Sequence, residues 1–172
     1  MLRKILNNQL LSILILLIFH FVFRFLLLEN NSFPFNSDEA VVGLMAKHIL
    51  KGENFLYFYG QSYMGSVDAY LIALGFSLFG EEIWVIRLTQ VFLYAILIIV
   101  NYLFVLTSFN NKKTAFYSSL FMVFPTVNTV LYTTVTLGGY VESLLLGIIS
   151  FYISTIIIKK INTGNCQIMC LV

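Results

Sequence analysis

Leu10-Leu11-Ser12-Ile13-Leu14-Ile15-Leu16-Leu17-Ile18-Phe19-His20-Phe21-Val22-Phe23-Arg24-Phe25-Leu26-Leu27-Leu28 is apolar except for Ser12, His20 and Arg24. At roughly 20 residues, a helix of this length crosses a hydrocarbon core of about 30 Å. Arg3 and Lys4 precede it, which a cleaved signal peptide would also show. A signal peptide has a shorter apolar core ending at small residues, whereas this run ends at Glu29-Asn30-Asn31. The run is therefore read as a retained first transmembrane helix.

Composition extends that reading to the whole chain. Of the 172 residues, 59% are hydrophobic and 10% charged, with a mean hydropathy of +0.90. A soluble fold of this length cannot hide so much apolar surface, but lipid-facing side chains need no protein partner. The expected class is an all-α integral membrane protein with about four transmembrane helices. No basic run suggests a nucleic-acid partner. Cys166 and Cys170 are too few and too close to the end for a disulfide framework or a complete zinc site.

Further spans are predicted at about 83–108, 114–132 and 140–158, the third weakened by Pro125. Arg3, Lys4, Lys112, Lys113, Lys159 and Lys160 then share one side, which the positive-inside rule makes cytoplasmic. Glu29, Asp38, Glu39, Glu53, Asp68, Glu81, Glu82 and Glu142 fall on the other side or at that end of a helix. A multi-pass protein of the cell membrane with a cytoplasmic N-terminus is expected. Residues 29–82 form one long external loop, longer than helix connections usually are.

Within that loop Asn36 or Ser37 can cap a helix opening with Asp38 and Glu39. Val41, Leu44, Met45, His48 and Ile49 recur at helical spacing, Lys47 and Lys51 take the other face, and Gly52 supplies a stop. The pattern predicts an amphipathic helix at the membrane interface. Phe55-Leu56-Tyr57-Phe58-Tyr59 leads into a glycine-bracketed turn, Gly60 to Gly65. The apolar stretch from Asp68 to Gly80 is too short to span and reads as a second interfacial or re-entrant helix.

Asp38 and Glu39 admit two readings. They complement the positive end of a helix dipole, worth about 0.3–1 kcal/mol, or one accepts a proton from an attacking hydroxyl or amine. Arg87 either snorkels beside Trp84 or steadies a phosphate leaving group. Glu142 enters an apolar helix, a default functional position, although at the interface such a carboxylate costs little. Arg24 is placed to snorkel rather than bind phosphate, and His20 to pack as a hydrogen-bonded core residue. Asp68 reads as a helix cap. Gln61 and Tyr63, held by flanking glycines, are candidates for substrate hydrogen bonds, and the other loop aromatics for an interfacial belt.

Asp38-Glu39, Lys51-Gly52, Gly60-Gln61-Ser62-Tyr63-Met64-Gly65, Ala69-Tyr70-Leu71, Leu78-Phe79-Gly80 and Arg87-Leu88 follow one another after a first helix. In that order they resemble the N-terminal part of polytopic glycosyltransferases of the protein mannosyltransferase and aminoarabinose transferase type, whose fold is called GT-C. The resemblance implies sugar transfer from a polyprenyl-phosphate donor in the bilayer to a lipid, glycan or protein acceptor on the extracytoplasmic face, with inversion. It implies Asp38 as base or acceptor-orienting group, Glu39 as its neighbour and Glu142 as the second-loop acid. Arg87, Gln61 and Tyr63 are then the substrate-binding candidates. No metal-ligand spacing is present, so no cofactor is indicated, although some relatives in the wider fold use a divalent cation.

Relatives of this type carry many more helices. The expectation is an N-terminal transmembrane part at 1–160, a short truncated or aberrant tail at 161–172, and little activity of the chain alone. The rival is a non-catalytic four-helix membrane protein, relic or accessory subunit, with Asp38 and Glu39 as caps. A transporter would need ionisable residues at mid-membrane, where only His20 and Arg24 stand.

Overall fold

The computed structural model describes residues 2–30 and 32–162. Its elements are α1 (Leu2–Glu29), α2 (Ser37–Leu50), β1 (Tyr57–Phe58), β2 (Gln61–Gly65), α3 (Val67–Phe79), α4 (Ile83–Phe109), α5 (Lys112–Val123), α6 (Val127–Tyr132) and α7 (Tyr140–Asn162). Three helical stretches, Gln9–Glu29, Ile83–Phe109 and Tyr140–Ile161, are long and apolar enough to cross a membrane. The chain is an all-α membrane protein. The tail with Cys166 and Cys170 lies outside the described residues.

The span expected at 114–132 is two short helices. Pro125 lacks an N–H and disfavours helical geometry at Phe124 before it. Accordingly α5 ends at Val123, and Thr126 caps α6 with its side chain. The pair still returns the chain to the starting end of α4. α7 then packs along α4 in the same direction, with Lys159 donating to the Thr107 carbonyl and Phe104 facing Phe151 at 6.4 Å. Asn111 caps α5 by accepting from the Lys113 and Thr114 amides. Lys112, Lys113, Lys159 and Lys160 thus share one end of the bundle, opposite the loop that carries α2 and α3.

Two apolar cores result. One joins Leu16 of α1 to Tyr94, Leu97, Ile98 and Tyr102 of α4, Ala115 and Val123 of α5, and Val141 of α7. The other lies outside the bundle: Val42, Met45 and Ala46 of α2 pack on Phe58, on Ala69, Ile72, Ala73 and Phe76 of α3, and on Val85 and Ile86 of α4. The loop is therefore a packed cap seated on the start of α4. The buried face of α2 is Glu39, Val42, Gly43, Met45 and Ala46, whereas Leu44 of the expected apolar face is 48% exposed. The face is rotated because α2 buries small residues against other helices. Gly75 shows the closeness: a Cβ there would lie 3.0 Å from both Thr89 Oγ1 and Val85 Cγ1 of α4.

The glycine-bracketed turn is a β-hairpin, with Phe58 opposite Gln61 and Tyr57 opposite Gly65. Gly60 supplies the left-handed backbone, at φ +73°, that a tight hairpin turn needs. Tyr59 anchors the hairpin to α2 through a 2.7 Å hydrogen bond between its hydroxyl and His48 Nδ1.

Arg24 corrects the snorkelling expectation. It is fully buried with His20 in the α1–α4–α6 seam. Arg24 donates to the Val130 carbonyl at 3.0 Å, to Thr133 Oγ1 at 2.6 Å and to Thr134 Oγ1, and its guanidinium sits 4.7 Å from the Tyr94 ring centre. It adds to the bonds that close the end of the six-residue α6, where the Val130 carbonyl also accepts from the Thr133 amide and the Thr134 hydroxyl. His20 is the packed histidine expected, its Nε2 3.1 Å from the Val91 carbonyl oxygen and its ring stacked on Tyr94.

Candidate functional site

The start of α2 sends its two carboxylates in different directions, because successive helical residues are about 100° apart. Asn36 Oδ1 accepts from the Glu39 amide at 3.0 Å while the Asn36 amide donates back to Glu39 Oε2 at 3.4 Å, a reciprocal capping box. The Glu39 carboxylate is then fully buried. Arg87, from the first turns of α4, holds it from two sides: Nε donates to Oε1 at 3.0 Å and Nη2 to Oε2 at 3.1 Å. Arg87 itself is 8% exposed. The pair clamps α2 to α4.

Asp38 faces away from that joint. It lines a cavity of about 510 Å³ with Gln61, Tyr63 and Met64 of the hairpin, Tyr132 of α6, and Leu137, Gly138, Gly139, Tyr140 and Ser143 at the entry to α7. Three of the six residues singled out from the sequence, Asp38, Gln61 and Tyr63, thus share one concavity. Among the described residues Asp38 is its single charged wall residue. Tyr63, Tyr132 and Tyr140 are exposed, and the rings of the last two lie 4.9 Å apart at a tilt of 38°.

The far wall depends on glycine. Gly138 and Gly139 take φ of +85° and +90°, and a Cβ on Gly138 would fall 2.0 Å from Met64 Cε. Gly138→Ala is expected to cost about 1–2 kcal/mol in left-handed strain and to push Met64 toward the cavity. A thermal-unfolding midpoint unchanged from wild type would contradict this.

Behind that wall lies a group of which the sequence offered only parts. Asp68, expected as a cap, is 2% exposed, and Glu142 is 7% exposed. Gln90 Nε2 donates to Asp68 Oδ1 at 2.6 Å and Thr136 Oγ1 donates to Asp68 Oδ2. Burial first, then the neighbouring Glu142 carboxylate, holds Asp68 well above the usual aspartate range. Neither Glu142 oxygen has a hydrogen-bond partner among the described residues. The signal that could have found the group is the i, i+22 match of Asp68 with Gln90 on two apolar helices, which only the packing of α3 on α4 makes meaningful.

A second cavity, about 500 Å³, lies where α1 meets α4. Arg87, Glu29 and Glu82 line it, and Phe25, Leu28, Ile83, Trp84 and Leu88 form its apolar walls. Among the described residues no group of three or more His, Cys, Asp and Glu is placed to hold a metal ion.

No curated protein and no solved structure matches the chain. A protein-family model does: that of dolichyl-phosphate-mannose-protein mannosyltransferase matches residues 65–170. The match begins just beyond Tyr63 and takes in Asp68, Arg87, Gln90, Thr136 and Glu142. It covers more than half of the 172 residues, and the chain belongs to the dolichyl-phosphate-mannose-protein mannosyltransferase family.

Proposed function

We propose that the protein serves the transfer of a sugar from a polyprenyl-phosphate donor to an acceptor on the extracytoplasmic face of the cell membrane, with inversion at the anomeric carbon. The observation that carries this reading is the half-buried Asp38 carboxylate in a cavity with Gln61, Tyr63 and two further tyrosines. The acceptor hydroxyl attacks the anomeric carbon, its proton passes to Asp38, and the bond to the carrier phosphate breaks with its electron pair on the phosphate oxygen. Gln61 and Tyr63 hydrogen-bond the sugar or acceptor. The family supports a glycosyltransferase in a lipid environment, and the lysines at the opposite end of the bundle support an extracytoplasmic site.

Arg87 is the proposed phosphate ligand. Its cavity combines a cation with apolar walls, the pairing a polyprenyl phosphate requires. Glu39 occupies Nε and Nη2, so a phosphate would take the remaining N–H groups. None of the residues lining the Asp38 cavity is basic. We therefore expect the purified chain alone to transfer little, and efficient turnover by it would overturn that expectation.

Membranes from cells that make the protein, given radiolabelled polyprenyl-phosphate mannose, should label acceptor only when the gene is present. Equal labelling in a deletion strain would refute the reading. The rival, a non-catalytic membrane protein, draws its support from Glu39, whose bonds to Asn36 and Arg87 are all structural.

A further inference from the structure

We propose that the cavity between α1 and α4 binds a phospholipid whose headgroup carries a primary ammonium, an ethanolamine phospholipid of the surrounding leaflet. The site shares Arg87 with the proposed function but does not rest on it, since a lipid seated here would have to leave before a donor phosphate could take the same N–H groups. The cavity lies where the end of α1 meets the start of α4, with Trp84 on its wall, the level at which headgroups meet hydrocarbon. Glu39 occupies Nε and Nη2 of Arg87, which leaves Nη1 for a phosphate oxygen. Beside it stand Glu29 and Glu82. Both are exposed, and neither enters an ion pair among the described residues.

That arrangement of charge selects the ligand. One guanidinium, already paired with Glu39, and two unpaired carboxylates leave the cavity with a negative balance. An anionic headgroup therefore meets repulsion at the rim, whereas a zwitterion places its phosphate on Arg87 and its cation against Glu29 and Glu82. A primary ammonium donates hydrogen bonds to carboxylates, and a quaternary one has no hydrogen to give.

The lipid chain has a place as well. A further cavity of about 360 Å³ adjoins the first, the two sharing Phe25, Leu28 and Leu88 as walls, and it reaches Phe21 of α1 and Val91 of α4. From Glu29 back to Phe21, or from Ile83 to Val91, a helix advances about 12 Å, most of the ~15 Å depth of one hydrocarbon leaflet. Among the described residues Arg24 is the one polar residue on this wall, and its guanidinium is engaged by α6. A charged niche above an apolar groove of this depth matches a headgroup with an acyl chain beneath it.

The test places the full chain in nanodiscs of equal parts phosphatidylethanolamine, phosphatidylcholine and phosphatidylglycerol, and reads the lipid it retains by native mass spectrometry. Phosphatidylethanolamine should be retained about tenfold over either other lipid, the scale of two exposed charge contacts. Equal retention of the three, or a preference for phosphatidylglycerol, would overturn the proposal. The double variant Glu29→Gln with Glu82→Gln should fold as wild type, because both side chains are exposed, and should hold phosphatidylethanolamine no better than phosphatidylcholine. An unchanged preference in that variant would overturn the role of the two carboxylates. Val22→Trp, which fills the lower cavity from its exposed wall, should lower retention of every lipid, and unaltered retention would remove the groove from the site. No arm involves sugar transfer, so the outcome is separate from that of the proposed function.

Discussion

Replacing Arg87 by alanine should destabilise the protein by about 3–5 kcal/mol, a large share of the ~5–15 kcal/mol that holds a typical domain folded. The cost does not come from losing an attraction of that size. It comes from leaving the fully buried Glu39 carboxylate charged in an apolar joint, with only the Asn36 amide still bonded to it. Arg87→Lys should recover little, because an ammonium cannot reproduce the two-point grip on both oxygens. Removing both partners, as Glu39→Leu with Arg87→Leu, should restore most of the loss, since a well-packed apolar pair in place of a buried ion pair is often neutral or stabilising. Thermal unfolding in detergent reads all four proteins. If the single Arg87→Ala variant loses less than about 1 kcal/mol, water reaches the pair and the clamp between α2 and α4 is weaker than its burial implies.

Asp38→Asn should behave in the opposite way. Asp38 is half-buried, and no hydrogen bond of its side chain caps α2, a role filled by Asn36. Stability should therefore change by no more than the few tenths of a kcal/mol to about 1 kcal/mol that a helix-dipole contact provides. Transfer from labelled donor in native membranes should nevertheless fall about 10²–10⁴-fold, the usual contribution of a general base. Normal expression with full turnover would return Asp38 to a dipole-complementing role and leave the cavity without a base. Because Glu39 is the structural member of the pair and Asp38 the one that lines the cavity, comparison of the two positions separates folding from chemistry.

Hydropathy made the ends of α4 and the start of α7 legible, because a bilayer demands about 20 apolar residues whatever their partners. The cap on α2 was legible for the same local reason: Asn36 and Glu39 are three apart and need no distant partner. Periodicity failed where tertiary packing overrode it. The buried face of α2 is set by how closely Gly43 and Ala46 let α3 and α4 approach, and a count of large apolar residues favoured Leu44 instead. Asp68 and Arg24 were misjudged for a related reason. A charged residue near a helix end looks soluble in sequence, and only three-dimensional proximity to Gln90, Thr136 and Glu142, or to Thr133 and Thr134, reveals a buried polar joint. Two of the cavity tyrosines, Tyr132 and Tyr140, flank a loop whose course depends on two left-handed glycines, so their convergence had no signature in spacing.

Arg24 also bears on the order in which the protein is made. Its hydrogen-bond partners Val130, Thr133 and Thr134 lie 106 to 110 residues further along the chain, so the first helix enters the membrane long before the groups that will neutralise its burden have been synthesised. Until α6 arrives, the guanidinium must remain at the water-facing edge of the bilayer, where its long side chain can reach. The proline-broken pair α5 and α6, too short to cross as one helix, and the first helix, apolar but burdened by Arg24, therefore complete each other late. Assembly of the bundle is gated by the meeting of one buried cation with the short helix whose carbonyl and hydroxyl groups receive it.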